Sequence, residues 1–509
     1  MMSEQLSEAK PIVWTIASSD SGGGAGIQAD LHTFNALGCH GCCVVAAITA
    51  QNSTDVLSTE AVSPAIFIAQ LNCLLNDLPP TAIKIGLIPD AQLLQHLLLW
   101  LTEHKTKHQF SVIADPVLSS SSGVNFASEQ LIRSWRQLLP VLDLITPNLP
   151  ELALLSGLPD APVASQALKL TQAGAAAVLV KGGHNPCRTD ITDCYFSSSA
   201  CLELKQPRLN TANNHGTGCV LSSAIAAACA HQYPLDDAVI VGRAYLQQAL
   251  EQGYPTGKGA GCLQHHSWPT NYRYFPELSW PAANALPRHN GQHVRFASMA
   301  VPIGLYPVVD SVQWLKRLLP LEPDVIQLRI KQGTERDIEQ QISQAVQLSH
   351  DYKLRLFIND HWQLAIKYGA YGVHLGQEDL AKADLQAIAD AGLRLGISTH
   401  SYLELLKARQ LKPAYIALGH VFATQTKQMP SRPQGLLRLK HYAAICQNIP
   451  TVAIGGIDSQ RLEAVVNCGV DGIAVVSAIT MHSDPEHAFM QLKQQFQQYK
   501  VESHYAYSA

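Results

Sequence analysis

Residues Ser19–Leu31 read SDSGGGAGIQADL, and Asn214–Cys219, about 190 residues later, read NHGTGC. Each places glycines between an apolar or polar run and a helical pattern. Consecutive glycines let a backbone approach a ligand closely or hinge over it. Glycines at a helix start leave N–H groups free to face an anion, the place for a transferring phosphoryl group. Neither stretch is G-x-x-x-x-G-K-[ST] or G-x-G-x-x-G, so the P-loop and dinucleotide fingerprints do not apply. Around them, residues 12–265 alternate short apolar runs with helical patterns. The runs VWTIAS, CVVAAITA, AIKIGLI, SVIADPVL, DLITPN and AVLVKGG lead into Gly, Pro, Asn or Asp, which implies βαβ units and a mostly parallel sheet. A hairpin, ITDCYF then CLELKQPRL, follows, and two alanine-rich helices, Gly218–Ala230 and Pro234–Gln252, end the pattern.

Between residues 267 and 300 periodicity stops, with Pro269, Pro276, Pro281 and Pro287 punctuating an irregular stretch. It reads as an interdomain linker. Its Trp268, Tyr272, Tyr274, Phe275 and Trp280 favour a segment packed on a surface over a free tether. Beyond it come eight strand candidates separated by helical stretches: LYPVVD, VIQLRI, RLFIND, GVHLG, RLGIST, YIALGHV, TVAIGG and GIAVVSA. That is the count of a compact (β/α)8 TIM barrel. Asp310, Arg329, Asn359, Asp360, Ser398, Gly456 and Ser477 gather at the strand C-termini, the catalytic end of such barrels. The expected division is 1–266, a linker at 267–300, and 301–509.

Five hundred and nine residues exceed what one core holds, so two domains are expected. A net charge of −4 provides no basic footprint for nucleic acid. The polar start MMSEQLSEAK has no apolar signal core, and no run of about 18 apolar residues suggests a membrane span. The expectation is a cytoplasmic protein with small-molecule partners, neither nucleic acid nor membrane, and a homo-oligomer through the N-terminal half as an open alternative. Ten of the 12 cysteines precede residue 263 and two follow residue 440, which suits reduced thiols better than a disulfide framework. Cys39 and Cys42 form a C-x-x-C with no second pair at zinc-ribbon spacing, and read as buried structural cysteines.

His215-Gly216-Thr217-Gly218-Cys219 opens an apolar helix, and Cys219 lies in its first turn, where the dipole lowers a thiol pKa. It reads either as a base toward a substrate hydroxyl or as a neighbour of an anion hole. In the second half, Asp360 and Asp379 end or follow successive strands and offer hard oxygen ligands suited to Mg2+. Arg329 and Lys331, from the end of the second strand, and Lys427, after the sixth, are placed to grip a diphosphate.

Residues 12–265 resemble the hydroxymethylpyrimidine/phosphomethylpyrimidine kinases of the ribokinase superfamily through SDSGGGAGIQADL, TAQN (Thr49–Asn52), KIGLI, DPV (Asp115–Val117), LITPNLPE, VKGGH and HGTGC. The resemblance implies a ribokinase-like αβα domain using ATP. By it, Asp30 and Gln51 hydrogen-bond an aminopyrimidine, Asn148 and Glu151 bind phosphate and Mg2+, and Lys181 neutralises nucleotide phosphate. Gly216, Thr217 and Gly218 form the anion hole, with Cys219 at the catalytic position. The chain departs from the family at Asn214, usually Thr, and at Gly261-Cys262, commonly Gly-Pro.

Residues 303–490 are similar to thiamine-phosphate synthase through GLYPVVDSVQWL, QLRIK, LFINDHWQLAIK, YGVHLGQEDL, GISTH, YIALGHVF, TQTKQMP, VAIGGI and IAVVSAI. That likeness implies that Gln327, Leu328, Arg329, Ile330, Lys331, Asn359, Ser398 and Lys427 bind a pyrimidine diphosphate, Arg329 and Lys331 assisting its departure. Asp360 and Asp379 would hold Mg2+; Thr424, Gln425, Thr426, Gly456, Val476 and Ser477 would cradle the phosphate of a thiazole. Ala423 stands where the family often has Pro. Together the halves imply phosphorylation of a hydroxymethylpyrimidine to its monophosphate and diphosphate, then coupling of the diphosphate to hydroxyethylthiazole phosphate with release of pyrophosphate. Two other readings are a pyridoxal-type kinase in the first half and a non-catalytic regulator or thiazole-tautomerase-like paralogue in the second.

Overall fold

The computed structural model describes residues 9–118, 126–183, 189–198, 200–280, 288–289, 292–299, 303–424 and 432–508. The chain divides into two compact units, Met1–Pro269 with Arg273–Ala285, and Thr270–Tyr272 with Leu286–Ala509. Among the described residues, no helix is long and apolar enough to cross a membrane.

The first unit is built on a ten-stranded mixed sheet of β1 (Ile12–Ser19), β2 (His40–Gln51), β3 (Val56–Ala61), β4 (Ala82–Ile85), β5 (Ser111–Ala114), β6 (Leu144–Ile145), β7 (Ala177–Val180), β8 (Asp190–Ser197), β9 (Cys201–Pro207) and β10 (Glu277–Ser279). Their order is β10-β9-β8-β7-β6-β5-β4-β1-β2-β3. The six strands that the apolar runs anticipate, β1, β2, β4, β5, β6 and β7, pair in parallel; β3, β8, β9 and β10 are antiparallel additions at the two edges. Central strands such as β4 and β7 are buried along their whole length, as expected for parallel strands covered by helices. One expectation needs correction: the stretch read as an irregular linker contributes β10, which extends the sheet by pairing with β9. Tyr274 and Phe275, just before it, are buried, and Trp268 stacks on Tyr233 at 5.1 Å between ring centroids, so its aromatics do pack on a surface.

A short two-stranded ladder, β11 (Arg288–His289) with β12 (Gln292–His293), precedes the barrel. The barrel closes in the order β13 (Gly304–Val309), β14 (Val325–Leu328), β15 (Arg355–Asn359), β16 (Gly372–Leu375), β17 (Arg394–Thr399), β18 (Tyr415–Gly419), β19 (Thr451–Ile454) and β20 (Gly472–Val475). All eight neighbouring pairs are parallel, including β13 with β20. Inward side chains fill the barrel in layers, among them Tyr306, Val308, Val325, Phe357, Tyr415, Val452 and Ala474. Gly396 makes room for one of them: a Cβ there would lie 2.3 Å from the Tyr415 ring.

Two candidate active sites

In the first unit, the glycine loop after β1 folds back on a single carboxylate. Asp20 is almost fully buried and accepts from the backbone N–H groups of Gly22 (2.8 Å), Gly24 (3.1 Å) and Ala25 (2.8 Å). His215 Nε2 lies 3.0 Å from Asp20 Oδ2 and ties this loop to the HGTGC turn. Burial works to raise the Asp20 pKa, but His215 and the loop amides outweigh it and hold the carboxyl below its ordinary value. The two glycine stretches meet in contact that tolerates no side chain. A Cβ on Gly216, whose φ is 81°, would lie 2.1 Å from the Gly24 carbonyl, and one on Gly24 would meet His215 at 2.4 Å and Cys262 Sγ at 2.8 Å. Cys262, the departure from Gly-Pro, thus sits against the loop. Gln51 joins the same place, its backbone bonded both ways to Ser21 Oγ and its amide 3.5 Å from His215.

Gly216 precedes the helix Thr217–Ala230, whose N-terminus aims at a second cluster. A Cβ on Gly218 would lie 2.8 Å from Asp115 Oδ2 and 3.6 Å from Lys181 Nζ. Lys181 pairs with Asp115 at 2.5 Å and with Glu151 at 3.7 Å. Desolvation works to lower the Lys181 pKa, but the two carboxylates raise it, so the ammonium stays charged. Burial pushes the Glu151 carboxyl up against the pull of Lys181. Asn148 caps the helix Leu149–Ser156 in a reciprocal capping box with Glu151, and an isolated bridge joins it to Lys181.

Two sequence expectations are corrected here. Asp30 meets no solvent and is saturated by Lys84 (2.8 and 2.7 Å), Thr15 Oγ1 (2.6 Å) and Ser223 Oγ (2.7 Å), so it has no face to offer a pyrimidine. Cys219 has its pKa pushed up to about 11, not down: desolvation exceeds the help of the Lys84 charge and of a backbone hydrogen bond from Gly26. A thiol held neutral is not a general base near neutral pH, so the base reading of Cys219 loses its support. Cys39 and Cys42 are buried free thiols, as expected.

The second site is a pocket at the C-terminal end of the barrel to which all eight strands contribute. Its lining brings together Gln327, Arg329, Lys331, Asn359, Asp360, Asp379, Ser398, Thr424, Gly456, Val476 and Ser477. Leu328 and Ile330 are buried and outside that lining, a correction that follows from the strand pleat: alternate residues of Gln327–Lys331 point away. Asp310, at the end of β13, is exposed and also outside it. Gln425, Thr426 and Lys427 lie outside the described residues.

Asp360 sits at the end of β15 with a left-handed φ of 63° and forms an ion pair with Lys331. Burial works to raise its pKa, but the hydrogen bond from Lys331 and the neighbouring Asp379 carry it below the ordinary value. Asp379 is moved the opposite way, by desolvation and by the Asp360 charge. The two carboxylates therefore lie close enough to shift one another in opposite directions. Hard oxygen donors in mutual repulsion fit a divalent cation.

Sequence reading passed over several residues that shape these sites. Asp20, His215 and Asp115 stand inside the quoted motifs, and Lys84 is the one charge inside the apolar run AIKIGLI, a signal of a buried pair. In the barrel, His374, His400 and His420 line the pocket. His400 Nδ1 is 2.9 Å from Glu404, and burial and His400 together depress the His420 pKa.

Over residues 20–264 the chain matches the family model of phosphomethylpyrimidine kinase, and over 305–479 that of thiamine monophosphate synthase. The thiamine-phosphate synthase of Serratia proteamaculans (strain 568) is 58% identical over 192 residues, 38% of this chain and 91% of that relative. A phosphomethylpyrimidine kinase structure from Clostridium difficile 630 is 32% identical and covers 47% of this chain and 99% of its own, with a TM-score of 0.41. A pyridoxal kinase structure from Staphylococcus aureus in complex with ADP is 26% identical, covering 53% and 98%, with a TM-score of 0.48. The chain belongs to the phosphomethylpyrimidine kinase family through its first unit and to the thiamine-phosphate synthase family through its barrel, and is a bifunctional enzyme of thiamine biosynthesis.

Proposed function

We propose that the first unit carries out two successive ATP-dependent phosphorylations at one place. The N-terminus of the helix Thr217–Ala230, with Gly216, Thr217 and Gly218, stabilises the transferring phosphoryl group. Lys181 holds nucleotide phosphate; Asp115 and Glu151 beside it would hold Mg2+, with Asn148 capping the helix that carries Glu151. Gln51 and His215, next to the Asp20-anchored glycine loop, orient the aminopyrimidine. Phosphoryl transfer depends on positioning and charge neutralisation more than on covalent help. The same pocket can therefore present first the hydroxymethyl oxygen and then its phosphate. The observation that carries this reading is the closure of the two glycine stretches onto one another beside the buried Lys181–Asp115 pair.

In the barrel, Arg329 and Lys331 grip the diphosphate of the pyrimidine and stabilise the charge that develops as pyrophosphate leaves. Asn359 and Ser398 orient the pyrimidine with Gln327. Gly456, Val476 and Ser477 offer their backbone amides to the thiazole phosphate, together with Thr424. Asp360 and Asp379 would hold Mg2+, which would supply further neutralisation of the leaving group. Substitution then proceeds at the pyrimidine methylene carbon, with the thiazole nitrogen as nucleophile.

A one-pot reaction of the purified chain with hydroxymethylpyrimidine, thiazole phosphate, Mg2+ and ATP, followed by mass spectrometry, tests both halves. Thiamine phosphate is the expected product. Accumulation of pyrimidine diphosphate alone would overturn the barrel assignment, and no reaction without supplied diphosphate would overturn the kinase assignment.

A further inference from the structure

The two phosphorylations in the first unit differ by one proton. The first acceptor is an alcohol, which must lose its proton by the end of the transfer. The second is a phosphate monoester, already ionised near neutral pH, with a second pKa of about 6. With Cys219 held neutral, the first step needs another proton acceptor beside the anion hole. Asp30 is sealed against Lys84, and Asp115 and Glu151 are paired with Lys181. Asp20 already accepts from three loop amides and from His215. That leaves His215, the residue directly before Gly216.

The fold fixes this imidazole through backbone and ring together. The His215 backbone N–H donates to the Gly261 carbonyl at 3.1 Å, and an isolated bridge joins His215 to Cys262. One edge of the ring lies against the glycine loop, where a Cβ on Gly24 would meet Cδ2 at 2.4 Å and Nε2 at 3.3 Å. That edge brings Nε2 to Asp20 Oδ2 at 3.0 Å. The Asp20 side chain is 3% exposed, and its carboxyl is held below its ordinary pKa although burial opposes this. An ionised carboxylate only accepts, so Nε2 carries the hydrogen and Nδ1 keeps the lone pair. Among the described residues no group hydrogen-bonds Nδ1, and the His215 side chain is 14% exposed. Gln51, assigned above to the pyrimidine, lies 3.5 Å from the same ring.

We infer that His215, oriented by Asp20, is the base of the first phosphorylation and has no such task in the second. The inference rests on the kinase reading above. In the first step the hydroxymethyl oxygen forms a bond to the γ-phosphorus of ATP. The bond from that phosphorus to the bridging oxygen breaks, and its electron pair leaves with ADP. The hydroxyl proton passes to Nδ1 of His215 and from there to solvent. In the second step an ionised oxygen of the monophosphate makes the same displacement with no proton to remove. A carboxylate behind an imidazole fixes its tautomer and stabilises the imidazolium that forms. Asp20 is therefore a positioning residue, acting through His215.

The test is single-turnover phosphorylation by the full chain, with enzyme in excess over ATP. Hydroxymethylpyrimidine reports the first step and its monophosphate the second, each in the unsubstituted protein and in His215→Gln. Lost orientation of the pyrimidine or loosened packing of the glycine loop slows both steps alike, so the ratio of the two rates isolates the proton. The first rate is expected to fall about a hundredfold more than the second. An equal fall in both, or a larger one in the second, overturns the inference and leaves the kinase reading standing. No phosphorylation by the unsubstituted chain overturns the kinase reading itself. If His215→Gln does not fold, the solvent deuterium isotope effect on the unsubstituted chain decides. Slower transfer in D2O is expected for the first step alone, and equal effects on both steps overturn the inference.

Discussion

Lys84–Asp30 in the first unit and Lys331–Asp360 in the barrel are the same kind of ion pair in opposite surroundings. The first is sealed, with neither side chain exposed; in the second the lysine side chain is 49% exposed and the aspartate 18%. The sealed pair is an internal strut: its carboxylate is spent on Lys84, Thr15 and Ser223, and its ammonium lies behind the helix start that carries Cys219. The open pair belongs to the pocket, where its lysine stays within reach of a bound ligand. The contrast extends to the sites as wholes. The kinase site is made largely of backbone N–H groups, glycines and pre-paired charges, whereas the barrel site is made of side chains on strand ends. A charged pair thus reveals whether it is scaffold or equipment by how much of it water can reach.

The largest effect expected from this contrast is on stability. Lys84→Met leaves Asp30 buried without its counter-charge and should cost the first unit about 3–5 kcal/mol. Thermal unfolding followed beside synthase activity checks it, and an undisturbed transition would break the comparison. Lys331→Met should lower synthase turnover by about 10²–10³-fold, since it removes a cation from the departing pyrophosphate. Kinase rates of that variant should not move, and loss of both activities would contradict separate sites. Gly216→Ala adds a Cβ 2.1 Å from a carbonyl at a left-handed φ. It should lower kinase activity while sparing the barrel, with a backbone penalty of about 1–3 kcal/mol. Lys331→Met should change unfolding stability by less than about 1 kcal/mol, because an exposed pair is worth little.

The smallest effect sharpens the same point at a single thiol. With its pKa raised from 9.0 to about 11, Cys219 stays neutral across the working range. The stabilisation held in the neutral form is full below pH 9 and is lost as pH rises through about 11. Alkylation of Cys219, compared with Cys219→Ser, should accelerate about tenfold per pH unit up to that value. A plateau below pH 9 would restore the thiolate reading.

Much of both folds was legible in the chain. The short apolar runs between helical stretches marked the parallel strands and all eight barrel strands, because a strand buried on both faces is apolar along its length. The three residues Glu277–Ser279 were not legible as a strand, since β10 is short and owes its existence to the open edge of β9. In the barrel site, Arg329, Asp360, Asp379 and Ser398 were visible as polar residues where apolar runs end. Leu328 and Ile330 were carried along by proximity in sequence, although the pleat turns them away. His374 and Tyr415 were invisible as a unit because 41 residues separate them and nothing in either segment refers to the other.

The sequence by itself determined the two architectures, the glycine stretches and the acidic and basic residues of the barrel mouth. Apolar periodicity, turn chemistry and motif spacing are local properties and survive being read one residue at a time. Only the tertiary structure decided that Asp30 is spent on Lys84, that Cys219 is a neutral thiol, and that Gln327 and Ser398 are joined through Tyr306, Tyr415 and His374. Each of these depends on how much water is excluded and on which distant groups are brought within hydrogen-bond reach, and neither quantity exists until the chain has packed.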